Sequence, residues 1–109
     1  MVVTTGNEVG GRSVTGWLGI VRGIVVRSPS ISQGFLGGLR QIIGGNIERY
    51  AQVCEKAREE AFERMVRHAE EMGADAVIAM RYDATEFLTG ATEVLAYGTA
   101  VVVEPSGRV

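Results

Sequence analysis

The chain has 109 residues, a hydrophobic fraction of 46%, a charged fraction of 22% and a net charge of -2, which fits one globular domain over residues 1–109 and excludes a chain disordered throughout. Its 11 basic and 13 acidic residues form no basic stripe, so the electrostatic footprint of a nucleic-acid binder is missing. A single cysteine, Cys54, excludes an intrachain disulfide framework.

In chain order, Val2–Thr5 is β-branched and predicts a short strand. Gly6-Asn7 and Gly10-Gly11 break the chain after it. Residues 14–27 predict a long strand or two strand segments, in which Gly16, Gly19 and Gly23 mark bulges, bends or close approach of another backbone. Ser28-Pro29-Ser30 ends that element. Residues 32–43 place Phe35, Leu36, Leu39, Ile42 and Ile43 at helical spacing, with Gly37 and Gly38 weakening the helix. Gly44-Gly45-Asn46 predicts a turn, with Asn46 as the N-cap of the next helix.

Residues 47–72 carry the strongest pattern. Tyr50, Cys54, Ala57, Ala61, Met65 and Met72 fall on one face, widened by Ile47, Phe62, Val66 and Ala69, while Glu and Arg fill the other. Glu60–Arg64 and Glu63–Arg67 have the spacing and orientation of stabilising i,i+4 pairs, and Gly73 stands where a helix stop belongs. Val77–Tyr82 predicts a strand, residues 83–90 a connection, and residues 91–104 a second long strand closed by Pro105. The last two strands form an antiparallel hairpin under the helix, giving an α+β fold with an antiparallel sheet packed on one long helix.

This pattern predicts an oligomer. A helix of about 26 residues is about 39 Å long, against a radius of gyration near 13 Å for a monomer of this size. The two long strand regions are apolar, and one copy leaves their edges unshielded. The short first strand and the Gly-rich residues 32–45 are candidates to pair with a neighbouring subunit.

Thr4-Thr5, Leu18-Gly19-Ile20-Val21-Arg22-Gly23, Gly44-Gly45, Ala57-Arg58-Glu59-Glu60-Ala61, Gly73-Ala74-Asp75-Ala76-Val77 and Gly98-Thr99-Ala100-Val101 together carry a likeness over almost the whole chain. In their order and spacing the chain resembles the YbjQ-like family of uncharacterised small proteins. The resemblance implies a dodecin-like β-α-β-β subunit that assembles into a ring, a pentamer or a pair of pentamers. It also brings the family's heavy-metal-binding label.

The residues offer little chemistry for that label. Cys54 and His68 are about 21 Å apart along one helix and cannot chelate one ion within a subunit. Cys54 on the apolar stripe reads as a buried structural thiol, although ring symmetry could gather its copies at an axis. No base stands beside a nucleophile, no Gly-x-Ser-x-Gly elbow is present, and Glu59 and Glu60 belong to a solvated face. Gly37-Gly38 and Gly44-Gly45 lack the Lys-Ser/Thr ending of a phosphate loop, while Gly44-Gly45 precedes a helix N-terminus, a generic anion site.

Arg58, Asp75 and Thr99 are the polar residues inside the family-like motifs. They form either a structural Arg58–Asp75 ion pair or, with Gly44 and Gly45, the lining of an inter-subunit pocket. Trp17 and Tyr97 read as core or interface aromatics. The expected protein is a cytoplasmic, non-enzymatic homo-oligomer with no nucleic-acid or membrane partner. The alternative is a small-ligand or heavy-metal binder using an inter-subunit cavity, its ligand unknown. No N-terminal signal segment and no apolar run of membrane-spanning length are recognisable.

Overall fold

A computed structural model describes residues 1–27, 47–88 and 90–106. The described elements are β1 (Val2–Val3), β2 (Arg12–Arg27), α1 (Ile47–Glu71), β3 (Ala76–Leu88) and β4 (Ala91–Pro105). They form one sheet in the order β1-β3-β4-β2, with α1 packed on one face. The architecture is α+β, with two strands before the helix. The helix and turn predicted over residues 32–46 lie outside the described residues.

Two expectations about the sheet are corrected. It is mixed, because β1 runs parallel to β3 while β2 and β3 run antiparallel to β4. The connection predicted over residues 83–90 is strand as far as Leu88, and its ladder continues to Leu88 opposite Ala91. Asp83 and Thr85 are poor strand signals alone, but opposite Leu95 and Glu93 they complete hydrogen bonds that a loop would leave to water.

The glycines of β2 divide into two kinds. Register shifts between Val14 and Gly16, and between Trp17 and Gly19, are bulges. Gly23 instead lies under the helix. A Cβ there would stand 2.0 Å from the Ala61 carbonyl oxygen and 2.5 Å from the Met65 nitrogen, so only glycine lets the α1 backbone rest on β2.

The principal core sits between α1 and the sheet. Val21, Val25, Ala61, Met65, Ala69, Val77, Ala96 and Ala100 meet there, all buried. Full burial of a Met or Val side chain contributes about 1.5–3 kcal/mol. The buried helix positions Ala57, Ala61, Met65 and Ala69 form an i,i+4 row. That row continues back to half-buried Val53, one residue from Cys54, and Cys54 is exposed. The reading of Cys54 as a buried thiol is thereby corrected: both rows satisfy a helical period, and the sheet selects the one through Val53.

The helix ends as Gly73 predicts. Gly73 has φ +81°, its N–H donates to the Glu70 carbonyl at 3.0 Å, and the Ala74 N–H donates to the Ala69 carbonyl at 3.0 Å. This is the paired 5→2 and 6→1 closure of a Schellman motif. The Glu–Arg pairs within α1 are not made among the described residues. Glu60 pairs with Arg27, and Arg64 Nη1 donates to the Ile24 carbonyl at 2.7 Å. Both helix side chains reach the neighbouring edge strand instead of each other.

A smaller core, Val9, Ala76, Ile78, Val101 and Val103, lies on the opposite sheet face with Val14 packed against it. The N-terminal turn is tied on by a bulge in β3. Ala79 sits at φ 53°; its N–H donates to the Gly6 carbonyl at 2.8 Å and the Met80 N–H to the Thr4 carbonyl at 3.0 Å. Arg81 Nη1 donates to the Thr5 carbonyl at 2.8 Å.

This second core covers only part of its face. Trp17 pairs across from Val101, and Ile20 and Ile24 stand on the side opposite Gly23, which turns to the helix. Trp17 is 67% exposed, Ile20 72% and Ile24 39%.

Candidate functional site

The polar residues singled out in the sequence do not converge. Asp75 sits between α1 and β3, where its Oδ2 accepts the Val103 N–H at 3.1 Å and its own N–H donates to the Val101 carbonyl at 2.9 Å. It pins the start of β3 to β4. Thr99 lies half-buried in β4 between Ile20 and Ile78, on the face away from the helix. Arg58 lies on α1, over the other face, and makes no ion pair with Asp75; that expectation is corrected. Gly44 and Gly45 lie outside the described residues.

Arg58 instead stacks over the Tyr82 ring, its Cζ 5.7 Å from the centroid. Arg58 projects from α1 and Tyr82 from β3, and with Glu55, Glu59 and Phe62 they line a surface hollow of about 460 Å³. Arg58 also borders a second hollow, of about 310 Å³, between α1 and the far end of the sheet. Val53, Cys54, Ala57 and Val94 give that hollow apolar walls, with Arg58 and the Glu60-paired Arg27 beside them. Such a surface suits a small apolar group carrying negative charge. Nothing in the local sequence of β3 marks Tyr82 as a partner of Arg58. Their meeting depends on which way α1 crosses the sheet.

The Tyr82 phenol is raised above its ordinary value, first by burial; the Arg58 charge opposes this and the Glu55 charge adds to it. Replacing the Arg58 charge by an apolar side chain of similar length removes the opposing influence and keeps the ring covered, so in Arg58→Met the phenol titrates at still higher pH, measured by phenolate absorbance. A phenol raised on folding supports the fold fully below the unfolded tyrosine value, near 10, and loses that support as pH rises through the folded value. Stability therefore falls above about pH 10, and Tyr82→Phe removes this component of the fall.

Histidine and cysteine play separate parts. His68 is half-buried, and its Nδ1 accepts the Arg22 backbone N–H at 3.3 Å. Among the described residues no three of His, Cys, Asp and Glu lie close enough to hold one ion. Also among them, no helix is long and apolar enough to cross a membrane.

The fold and site define a helix-on-sheet protein whose described residues offer apolar and arginine-lined hollows. Its sequence matches, over residues 1–104, the family model described as "Putative heavy-metal-binding", YbjQ_1. The chain belongs to this family. A UPF0145 protein of Legionella pneumophila strain Corby is 57% identical over 103 residues, covering 94% of this chain and 98% of its own. A UPF0145 protein of Chromobacterium violaceum is 57% identical over 108 residues, covering 98% and 92%. A crystal structure of a protein of unknown function from Pediococcus pentosaceus, assigned to the DUF74 family, shares the fold. Its TM-score is 0.60 at 15% identity, over 95% of this chain and 98% of that one. The heavy-metal description does not fit the described residues of a single chain: the single thiol is about 21 Å along the helix from the single imidazole, whose Nδ1 already takes a backbone N–H.

Proposed function

We propose that this chain is a cytoplasmic, non-catalytic binding module that works as a homo-oligomeric ring, a pentamer or a pair of pentamers, with its ligand site completed between subunits. The observation that carries this reading is the sheet face that α1 leaves uncovered among the described residues. Trp17, Ile20 and Ile24 stand exposed on the side of β2 that α1 does not cover. Large apolar side chains exposed together on one sheet face mark an interaction site. The elongated shape of the described residues supports the same reading. Its radius of gyration is 17.3 Å and its extents are 57 × 23 × 18 Å, against about 13 Å expected of a compact monomer.

The ligand reading rests on the Arg27–Arg58 hollow. Its apolar walls and Arg58 suit a small, mainly apolar molecule with one acidic group, Arg27 being already paired with Glu60, and its open side suits completion by a neighbour. Light scattering coupled to size exclusion at micromolar concentration tests the assembly. The expected result is five or ten times the chain mass of 11.7 kDa. A single species at that chain mass overturns the reading. Native mass spectrometry of protein from its own host identifies any ligand that travels with it.

A further inference from the structure

The sheet face opposite α1 carries a polar row that lies outside both hollows. Val21, Gly23 and Val25 of β2, Met80 of β3 and Ala96 of β4 all lie against the helix. Strand side chains alternate between faces, so their chain neighbours Arg22, Arg81 and Tyr97 stand on the other side. The register brings these three into one line. Tyr97, on the central strand β4, is directly opposite Arg22 of β2 and directly opposite Arg81 of β3. Opposed Cβ atoms are about 5 Å apart, so the two arginines start about 10 Å apart with a phenol between them. Apolar side chains flank the line on both sides, Ile20 opposite Thr99 and Ile24 opposite Leu95. Arg22 and Arg81 are exposed and Tyr97 is half-buried.

Neither arginine is neutralised by a described carboxylate. Among the described residues the one ion pair is Arg27 with Glu60. Arg81 is held by carbonyls instead: its Nη1 donates to the Thr5 and Met80 carbonyls, each at 2.8 Å. Carbonyl oxygens fix a guanidinium in place without cancelling its charge. The acid next to this line is Asp83, two residues along β3, and its Oδ1 is turned back to accept the Ala84 N–H at 2.9 Å. Glu93 is four residues from Tyr97 along β4, about 13 Å in an extended strand, which exceeds the Debye length of about 8 Å at physiological salt.

We infer that the Arg22–Tyr97–Arg81 line is an anion site, and that its ligand is a small phosphate monoester with an apolar or aromatic body. Guanidinium groups match phosphate oxygens with two donors each, and the Tyr97 hydroxyl adds a donor between them. Donor groups on three strands exceed what the two oxygens of a carboxylate take up, whereas a phosphate monoester presents three acceptor oxygens and close to two charges. The apolar rows of Ile20 and of Ile24 with Leu95 receive the body of the molecule, the usual division of labour in a small-ligand site. The hollows beside Arg58 lie on the helix side of the sheet, so this is a separate site. It uses residues of one chain only, and it goes beyond the binding-module reading without depending on the assembly.

Calorimetric titration of the full chain at low salt, with phenyl phosphate and with inorganic phosphate, tests the inference. Phenyl phosphate is expected to bind about 10-fold more tightly than inorganic phosphate, because its ring covers apolar surface. Arg22→Gln is expected to weaken phenyl phosphate about 10-fold, the loss of one charge-assisted contact, and Tyr97→Phe about 3-fold. Arg81→Gln is expected to match Arg22→Gln. Because Arg81 also holds the Thr5 carbonyl, the decisive variant is Arg22→Gln, whose thermal midpoint is expected to equal that of wild type. Arg12→Gln on the same strand and Arg58→Met on α1 are expected to bind as wild type does. Full binding by Arg22→Gln overturns the inference. Loss of binding in Arg58→Met with binding kept in Arg22→Gln moves the anion to the helix side, so the inference fails while the binding-module reading stands. Equal affinity for the two phosphates overturns the ligand class, and binding of neither overturns the site. Light scattering reads the assembly separately, so a single-chain species removes the ring reading and leaves this result intact.

Discussion

Gly23→Ala is expected to cost at least about 3 kcal/mol, the upper range of overpacking a filled core, and to lower the melting temperature by more than about 10 °C. The added methyl would lie 2.0 Å from the Ala61 carbonyl oxygen and 2.8 Å from Arg64 Cβ. The first of these is backbone, so no rotamer change relieves the clash. Either α1 lifts from β2 along its length or β2 bends away from the helix. Both movements open the contact that buries Val21, Val25, Ala61 and Met65. Gly10→Ala is the matched control, because a Cβ at Gly10 meets nothing within 4 Å and its φ is not positive. It is expected to stay within about 1 kcal/mol of wild type. Paired thermal and urea unfolding distinguishes the two, and equal midpoints would show that α1 does not rest on Gly23.

The second large effect concerns association. Trp17→Ser with Ile20→Ser is expected to weaken assembly by at least about 2 kcal/mol, roughly 30-fold, as removal of buried apolar anchors does at an interface. Within a single chain these side chains are 67% and 72% exposed. Their loss should therefore leave the unfolding midpoint of a monomer nearly unchanged, within about 0.5 kcal/mol. The test is dissociation on dilution, followed by light scattering, alongside thermal unfolding. Unchanged assembly would remove the bare sheet face from the interface. Loss of folding without loss of association at matched concentration would show that the face serves the monomer.

Much of the fold was legible because its signals are local. The amphipathic row of residues 47–72 and Gly73 defined α1, and the structure ends it at Glu71 with Gly73 in the left-handed conformation. The β-branched runs located β2 and β4. The glycines of β2 announced irregularity, but not its kind. Gly16 and Gly19 became bulges, whereas Gly23 became a seat for the helix. Asp83 and Thr85 read as a connection because strand membership there comes from β4 opposite, a partner that the residues themselves do not encode.

The site was less legible. Arg58 stood out inside a family-like motif, but its partner is Tyr82 and not Asp75. Cys54 was placed on the wrong row because a helix pattern with apolar residues at both Val53 and Cys54 fits two neighbouring stripes. Only the sheet beneath α1 chooses between them. Arg27 and Glu60, far apart in sequence, meet for the same reason.

By itself the sequence determined the element types, the helix stop, the family and the presence of more apolar strand surface than one helix can cover. Tertiary structure alone decided the strand order, the parallel pairing of β1 and the row of α1 that is buried. The division follows from range. Backbone propensity and hydrophobic period are written in neighbouring residues, whereas pairing and burial depend on segments brought together from across the chain.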